Sequence, residues 1–405
     1  MIIEKFTKIF NGVCAKRLSL VEVDGSKSNQ HEFNGVDQMK KIFGHTRIDK
    51  IPSKFLYLND NENDSIQDTG FLTWYDAREH DIKRSEFRLY FSTMTIINKA
   101  EPGDLLIIAR RADSLEVLVI VAKKDSTIEN QIIWLFSFGR HDLEKFFIVD
   151  LDQANIKNLD FPSEYILEKL GVEISIKEDS LSTHILETYK QAFPDTQTFS
   201  NDIYQHLLKK KLINLIDSPD SGVTLLLQTE EIYFKMLEKI FVQQKIEKGF
   251  KNVEDFITYS LSIQNRRKSR AGYAFEHNIE RLFIINKIKY NKNKVTENRS
   301  KPDFIFPGII EYMDPAFNQI NLTMLGVKTT CKDRWRQILS EADKIQQKHL
   351  ATLEPSISQN QTDEMENRKV ILVLPESIHK SYNEKQKRII ISISEFLSLL
   401  KQKNP

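Results

Sequence analysis

Lys301-Pro302-Asp303-Phe304-Ile305-Phe306-Pro307-Gly308 opens the stretch on which the reading of this sequence turns. It continues through Leu325-Gly326-Val327-Lys328-Thr329-Thr330 and closes on Asp333-Arg334-Trp335-Arg336-Gln337-Ile338-Leu339-Ser340-Glu341-Ala342-Asp343-Lys344. Two apolar runs, Phe304 to Phe306 and Leu322 to Val327, read as buried strands. Asp303 heads the first and Lys328 ends the second, so neighbouring strands would bring carboxylate and ammonium together at one sheet edge. Trp335, Ile338, Leu339, Ala342 and Ile345 recur at helical spacing, which predicts a helix from about Arg334 to Leu350. Arg334, Gln337, Glu341, Lys344 and Lys348 fall on its opposite, polar face, with Glu341 at the rim.

Phosphodiester hydrolysis requires an activated water, neutralised charge at phosphorus and a stabilised leaving oxygen. Carboxylates that hold Mg²⁺ beside a lysine supply these. The usual pattern has an acid two residues before the lysine, and here that position is Gly326. The second carboxylate would then come from Glu341, with Glu276 a further, more structural candidate. The competing reading of the same spacing is an ordinary α/β domain with surface charges. Lys332, Asp333 and Arg334, between strand and helix, offer donors and an acceptor suited to G·C pairs: Arg or Lys to guanine, Asp to the cytosine amino group.

Upstream, residues to about Val172 read as mainly β. Apolar runs at Asp104–Ala109, Glu116–Ala122 and Gln131–Phe138 predict short strands of an antiparallel sheet or barrel. Two polar segments carry basic residues: Lys16-Arg17-Leu18-Ser19 with Lys27, Asn29, Gln30 and His31, and the run from Arg78 to Arg88, where Lys83, Arg84 and Arg88 interleave with Phe87 and Tyr90. Such residues neutralise phosphates and read base edges, or simply form a solvated loop. Residues 173–196 read as a linker. The C-terminal part, 197–405, is an α/β domain with helices expected at Leu207–Ile216, Glu230–Ile246, Val253–Ile263 and Tyr273–Ile284, a strand at Lys369–Leu374 and a closing helix at Ile389–Leu400. The basic run Asn265-Arg266-Arg267-Lys268-Ser269-Arg270-Ala271-Gly272 separates two of those helices and is a candidate phosphate contact.

The chain has 405 residues, enough for two domains, with 40% hydrophobic and 28% charged residues. Its net charge of +1 leaves nucleic-acid binding to local basic patches. Two distant cysteines, Cys14 and Cys331, exclude a disulfide framework and a thiolate zinc site and fit a reducing compartment. No signal pattern opens the sequence and no apolar run spans a membrane, so a soluble cytoplasmic protein is expected. No glycine-rich cofactor loop follows an early strand, which disfavours a methyltransferase.

At Asn265–Gly272, and most densely over Val327–Leu339 and Glu341–Ile345, the chain resembles the EcoRII family of type II (type IIE) restriction endonucleases. The resemblance implies a C-terminal restriction-endonuclease-like domain of PD-(D/E)xK type, with the glutamate moved onto the helix. Asp303 and Glu341 would hold Mg²⁺, Lys328 would be the catalytic lysine, and Tyr312 matches a tyrosine near the family's active site. Lys332, Asp333 and Arg334 would read the outer pairs of a CCNGG/CCWGG-type palindrome, cut 5′ of the first cytosine. The basic residues Arg266, Arg267 and Arg270 would approach the DNA. A weaker resemblance in residues 1–172, through Lys16–Ser19, Asn29, Gln30, Arg84, Glu86 and Arg88, implies an effector domain, a DNA-binding β pseudobarrel. That domain would bind a second site and relieve autoinhibition. Tyr233 is the nearest match to the family's base-flipping residues. The implied partners are double-stranded DNA carrying two or more sites, a second copy in a homodimer, and a cognate DNA methyltransferase in a prokaryotic cell. The alternative is a non-cleaving, sequence-specific DNA-binding regulator on the same fold.

Overall fold

The computed structural model describes residues 6–23, 31–61, 64–81, 83–93, 95–138, 143–149, 151, 161–172, 180–190 and 192–404. Asn29, Gln30, Lys27 and the linker residues 173–179 lie outside them. The chain divides into two compact units: Met1–Glu173 with Ser356–Asn360, and Ile174–Pro355 with Gln361–Pro405.

The first unit is built on one eight-stranded sheet. Its strands are β1 (Phe10–Arg17), β2 (Glu32–Asn34), β3 (Ile48–Leu58), β4 (Ile66–Asp76), β5 (Phe87–Phe91), β6 (Leu105–Arg111), β7 (Val117–Ala122) and β8 (Phe147–Ile148). They lie in the order β2-β5-β4-β3-β7-β6-β1-β8. Among the described residues only β3 and β7 pair in parallel; the other neighbours are antiparallel. β6 and β7 are buried along almost their whole length, as expected of central strands covered on both faces. Trp74, Phe33, Phe43, Phe55 and Phe91 fill the core on one face.

The strand expected at Gln131–Phe138 is instead mostly a helix, Thr127–Leu135. Ser126 caps it, its Oγ accepting the N–H of Glu129 at 3.1 Å. The Ser-x-x-Glu signal at its start outweighs the β-branched residues that suggested a strand.

The second unit packs helices against a six-stranded sheet. Its strands are β9 (Asn291–Lys292), β10 (Phe304–Phe306), β11 (Thr323–Val327), β12 (Lys348–Ala351), β13 (Val370–Leu374) and β14 (Ile390–Ser392), in the order β14-β13-β12-β11-β10-β9. β11, β12, β13 and β14 pair in parallel, while β10 runs antiparallel to β11 and to β9.

Helices Thr196–Lys209, Pro219–Lys248 and Val253–Ile285 form the helical layer. The two helices expected on either side of the basic run are one continuous helix of 33 residues. Arg and Lys are good helix formers, Ser269 bonds back to the Asn265 carbonyl at 2.9 Å, and a side chain at Gly272 would meet nothing within 4 Å. That helix buries Phe275, Ile279, Leu282 and Phe283. In Pro219–Lys248 the buried face includes Tyr233, Phe234 and Leu237, while Ile232, Met236 and Ile240 are only partly buried. The apolar residues of that segment ring the helix too evenly for spacing to choose a face. The helix expected at Leu207–Ile216 begins earlier and ends at Lys209, and the closing helix begins at Ile393, after β14.

Asp220 ties the layers together. Its carboxylate accepts the N–H groups of Glu376 at 3.2 Å, Ile393 at 2.8 Å and Ser394 at 2.9 Å. A buried anion thus sits where the helix Ile393–Lys403 exposes its unpaired N–H groups.

The segment 332–350 departs most from expectation. In place of a helix to Leu350, a 3-10 stretch runs from Lys332 to Ser340, Glu341 is extended, Ala342 takes φ 51°, and β12 begins at Lys348. Trp335 and Ile338, three apart, are fully buried, as are Ala342 and Ile345, again three apart. Three-residue spacing suits the 3.0-residue turn of a 3-10 helix and coincides with the start of an α pattern.

Candidate active site

The site forms where β10, β11 and β12 meet. The register pairs Phe304 with Leu325 and Gly326 with Leu350. Alternation along each strand therefore puts Gly326 and Lys328 of β11's line and Lys348 and Leu350 of β12 on one face of the sheet. Asp303, one residue before Phe304, stands opposite Gly326 at the same end. The segment from Trp335 to Ala342 covers that face: a Cβ on Gly326 would lie 2.6 Å from Ile338 Cγ2 and 3.6 Å from Leu350 Cδ1.

Asp303 and Lys328 meet as their spacing predicts. Lys328 Nζ donates to Asp303 Oδ2 at 2.8 Å, and the Val327 N–H donates to the same oxygen at 2.6 Å. Oδ1 is left clear of hydrogen bonds among the described residues. The pair is mostly shielded, with side-chain exposures of 14% for the lysine and 16% for the aspartate. The backbone N–H of Lys328 bonds to the Ala351 carbonyl at 2.9 Å, which fixes the root of the side chain.

Glu341 joins the pair from the covering segment, just past the 3-10 stretch rather than on a helix. Burial pushes its carboxyl up to about 7, Asp303 adds to that rise, and Lys328 and Lys348 oppose it. Its Oε2 is buried without a hydrogen-bond partner. Two carboxylates in electrostatic contact, one with an orphaned oxygen, are a donor set short of positive charge, and this suits a divalent cation. No cluster of three or more His, Cys, Asp or Glu that could hold a metal occurs among the described residues. Two carboxylates with the remaining positions left to water and phosphate are what Mg²⁺ ordinarily uses.

Tyr312, on the short helix Ile309–Met313, does not join the carboxylates directly. It is fully buried; its hydroxyl donates to Glu297 Oε2 at 2.5 Å and accepts the Lys344 N–H at 3.3 Å. Burial first, then Glu297, holds its phenol above the ordinary range. Its chemistry is therefore to hold the turn that follows Glu341.

The loop before the 3-10 stretch is tied from below. The Cys331 N–H donates to the buried Glu354 carboxylate at 2.5 Å, and Thr352 Oγ1 donates to the Thr329 carbonyl at 3.3 Å. Arg334 is exposed. The side chains of Lys332 and Asp333 lie outside the described part of the structure.

The basic run is largely committed to helix packing. Arg267 pairs with Glu238 at 2.5 Å, and Arg270, only 6% exposed, pairs with Glu231 and lies over the Phe234 ring. Arg266 stacks on Phe193 at 4.6 Å. The expectation that these three approach DNA gives way for Arg270, whose guanidinium is enclosed between two helices. Glu276 pairs with Lys292 at 2.9 Å, a structural role. Tyr233 is buried in the helical layer.

In the first unit, Arg88 bridges Glu86 at 2.8 Å and Glu32 at 2.9 Å, and Glu86 also holds Arg78 at 2.8 Å. Arg84 is exposed in the connection between β4 and β5. Beside it opens a cleft of about 770 Å³ lined by Arg47, Tyr75, Arg78, His80 and Lys83 among others. Arg17, read as a base- or phosphate-contacting residue, instead binds Glu129 at 2.5 Å and the Gly103 carbonyl at 2.7 Å.

An aspartate and a lysine joined across neighbouring strands, with a buried glutamate covering them, thus meet at one end of a mixed sheet. In comparison with known proteins, residues 234–397 match the family model described as EcoRII C terminal. The chain is 42% identical over 201 residues to the type II restriction enzyme EcoRII of Escherichia coli, a match covering 49% of this chain and 50% of the relative. It is 24% identical over 191 residues to the type II restriction enzyme SsoII of Shigella sonnei, covering 42% and 60%. The chain thus spans about half the length of the curated relatives it matches. Among solved structures, metal-depleted Ecl18kI in complex with uncleaved DNA aligns with a TM-score of 0.44 at 20% identity, over 55% of this chain and 83% of that one. A complex of the restriction endonuclease PspGI with substrate DNA aligns with a TM-score of 0.45 at 16% identity, over 57% and 98%. No helix among the described residues is long and apolar enough to cross a membrane.

Proposed function

We propose that this chain is a type II restriction endonuclease that hydrolyses phosphodiester bonds in double-stranded DNA, with Asp303, Lys328 and Glu341 as its catalytic groups. The observation that carries this reading is the Lys328–Asp303 contact at 2.8 Å beneath a glutamate whose Oε2 has no partner. Asp303 and Glu341 would hold Mg²⁺, which when bound neutralises phosphoryl charge and lowers the pKa of a coordinated water.

The chain's own residues do the rest. Asp303 Oδ2, fixed by the Val327 N–H, orients the Lys328 ammonium. That ammonium carries three donors and gives one to Asp303, so the others are available to a phosphate oxygen and to the attacking water. Charge developing on phosphorus is met by a cation already in place, which costs no reorganisation at the moment of reaction. Tyr312 and Glu297 keep the Glu341 turn in register with the sheet.

Arg334, with Lys332 and Asp333, reads the outer C·G pairs of a CCNGG/CCWGG-type palindrome, and the cut falls 5′ of the first cytosine. The two-fold symmetry of such a site calls for a homodimer. Residues 1–172, which make up most of the first unit, act as the effector domain of β-pseudobarrel type. It binds a second site through Arg84, its exposed cleft and the segment holding Asn29 and Gln30, and so relieves autoinhibition. A cognate DNA methyltransferase protects the host's own sites.

The test is incubation of purified protein with Mg²⁺ and DNA carrying several CCNGG sites, with sequencing of the product ends. Cleavage abolished by Lys328→Ala and by Glu341→Ala is expected. Specific binding of that DNA without cleavage, in Mg²⁺ and Mn²⁺ alike, would replace this reading with that of a DNA-binding regulator.

A further inference from the structure

We propose that Lys348 is the positioning residue for Glu341, its buried ammonium clamping the turn that presents the carboxylate. This inference rests on the nuclease reading and deepens it.

Lys348 opens β12, is 5% exposed, and lies on the sheet face shared by Gly326, Lys328 and Leu350. A lysine is rarely buried so fully without a task that repays its desolvation. Its Nζ donates to the Glu341 carbonyl at 2.5 Å and to the Ala342 carbonyl at 2.8 Å. Both acceptors belong to the turn in which Ala342 adopts φ 51°, a left-handed conformation that a non-glycine residue keeps only when its surroundings impose it.

The other ties to that turn come from the opposite side. Thr296 Oγ1 accepts the Ala342 N–H at 3.3 Å, Ser300 Oγ donates to the Ser340 carbonyl at 3.1 Å, and Tyr312 holds Lys344. Lys348 brings positive charge to the turn from β12, while Lys344 Nζ, within the turn, donates to the Tyr312 carbonyl at 2.7 Å. Asp343, Glu341 and Glu297 are the acidic groups that face Lys348. It therefore both fixes the Glu341 backbone and offsets part of the repulsion between Glu341 and Asp303. The Glu341 side chain has no hydrogen bond to orient its Oε2, so its aim depends on the backbone beneath it.

Lys348→Met keeps the stem and removes the charge and donors. Mn²⁺ binding, read by the paramagnetic signal of the free ion, should weaken by about 10- to 100-fold, the usual range when a partner behind a metal ligand is lost. The Mg²⁺ concentration that gives half-maximal DNA cleavage should rise by the same factor, while the rate at saturating Mg²⁺ stays within a few-fold of wild type. Unchanged Mn²⁺ affinity in a folded Lys348→Met protein overturns the proposal. Should that variant not fold, Lys348→Gln, which removes the charge but keeps a polar head, decides by the same titration: weakened Mn²⁺ binding supports the clamp and unchanged binding overturns it. Wild-type protein that neither binds Mn²⁺ nor cleaves overturns the nuclease reading, and this one with it; wild-type activity with an indifferent Lys348 overturns this one alone.

Discussion

Replacing Gly326 by alanine tests whether the missing acid is a steric consequence of the fold. The added Cβ would lie 2.6 Å from Ile338 Cγ2, about 1 Å inside the 3.5–4.0 Å of an ordinary carbon contact. Neither side can give way easily. Gly326 is paired on β11 with Leu350 of β12, and its strand is buried throughout. Ile338 is fully buried, and its β-branched side chain is stiff about χ1. Overpacking at such a site costs about 1–3 kcal/mol, which for a unit of this size lowers the unfolding midpoint by about 2–12 °C. Ile338→Leu moves the offending methyl from Cβ to the γ carbon at nearly constant volume and should itself cost less than about 1.5 kcal/mol. Thermal unfolding of the wild type, both single variants and the double variant closes a cycle. The double variant should be more stable than the sum of the singles predicts, with about 1–2 kcal/mol of favourable coupling. Cleavage by Gly326→Ala should also fall, because Ile338 lies three residues before Glu341. Additive stabilities, or a Gly326→Ala protein as stable as wild type, would refute the argument that Ile338 excludes a side chain from this position.

Two further variants probe the frame behind the site. Asp220→Asn turns an amide toward the N–H groups of Ile393, Ser394 and Glu376, and should cost about 2–3 kcal/mol in thermal unfolding while leaving the Lys328–Asp303 pair intact. Glu230 is fully buried; desolvation raises its carboxyl pKa, against hydrogen bonds from Asn278 and Ser200. A raised carboxyl pKa means that the folded state holds the proton more tightly than the unfolded chain. Stability is therefore lost as pH climbs from the ordinary carboxyl range through the folded-state value. Glu230→Gln, isosteric with the protonated form, should match wild type near pH 4 and exceed it near pH 8; parallel pH–stability curves would rule out a buried titrating glutamate.

How far the sequence reaches depends on which periodicities compete. Asp303 and Lys328 were legible because a strand's two-residue period and its apolar run leave few alternatives; the β10–β11 register sets Asp303 opposite Gly326, two residues before Lys328, within reach of the lysine's side chain. Glu341 was legible as a residue but not in its setting. Trp335 and Ile338 fit a 3.0- and a 3.6-residue turn equally well over one turn, and only the strand that follows distinguishes them. Lys348, His349, Leu350 and Ala351 are all buried, so no alternation marks β12, and its lysine and histidine disguise it further. The same competition misplaced the helix at Thr127–Leu135, where the cap at Ser126 was the better signal. Interhelical pairing hid the role of Arg270: a run of four cations reads as a solvated patch, and nothing local announces that Glu231 and Phe234 of another helix will enclose one of them.

The placement of Glu341 carries a structural cost that explains its surroundings. An acid on β11 would be held by the sheet itself, through strand pairing on both sides. On the proposed nuclease reading, once Ile338 covers Gly326 the second acid comes from the covering segment, which has a single 3-10 run behind it. Such a run has poorer hydrogen-bond geometry than an α-helix and cannot fix a side chain alone. Rigidity must then be supplied by side chains reaching in, which is what Lys348, Thr296, Ser300 and the Tyr312–Glu297 pair do from four separate positions. Three of those contacts come from residues 296–312, the stretch that also bears Asp303, so the two carboxylates are held from a common base. A change that shifts this stretch moves both together, whereas a change at Lys348 moves one against the other. Loss of Lys348 should therefore fall hardest on the binding of a cation shared by both carboxylates, and loss of Thr296 or Tyr312 more evenly on binding and turnover.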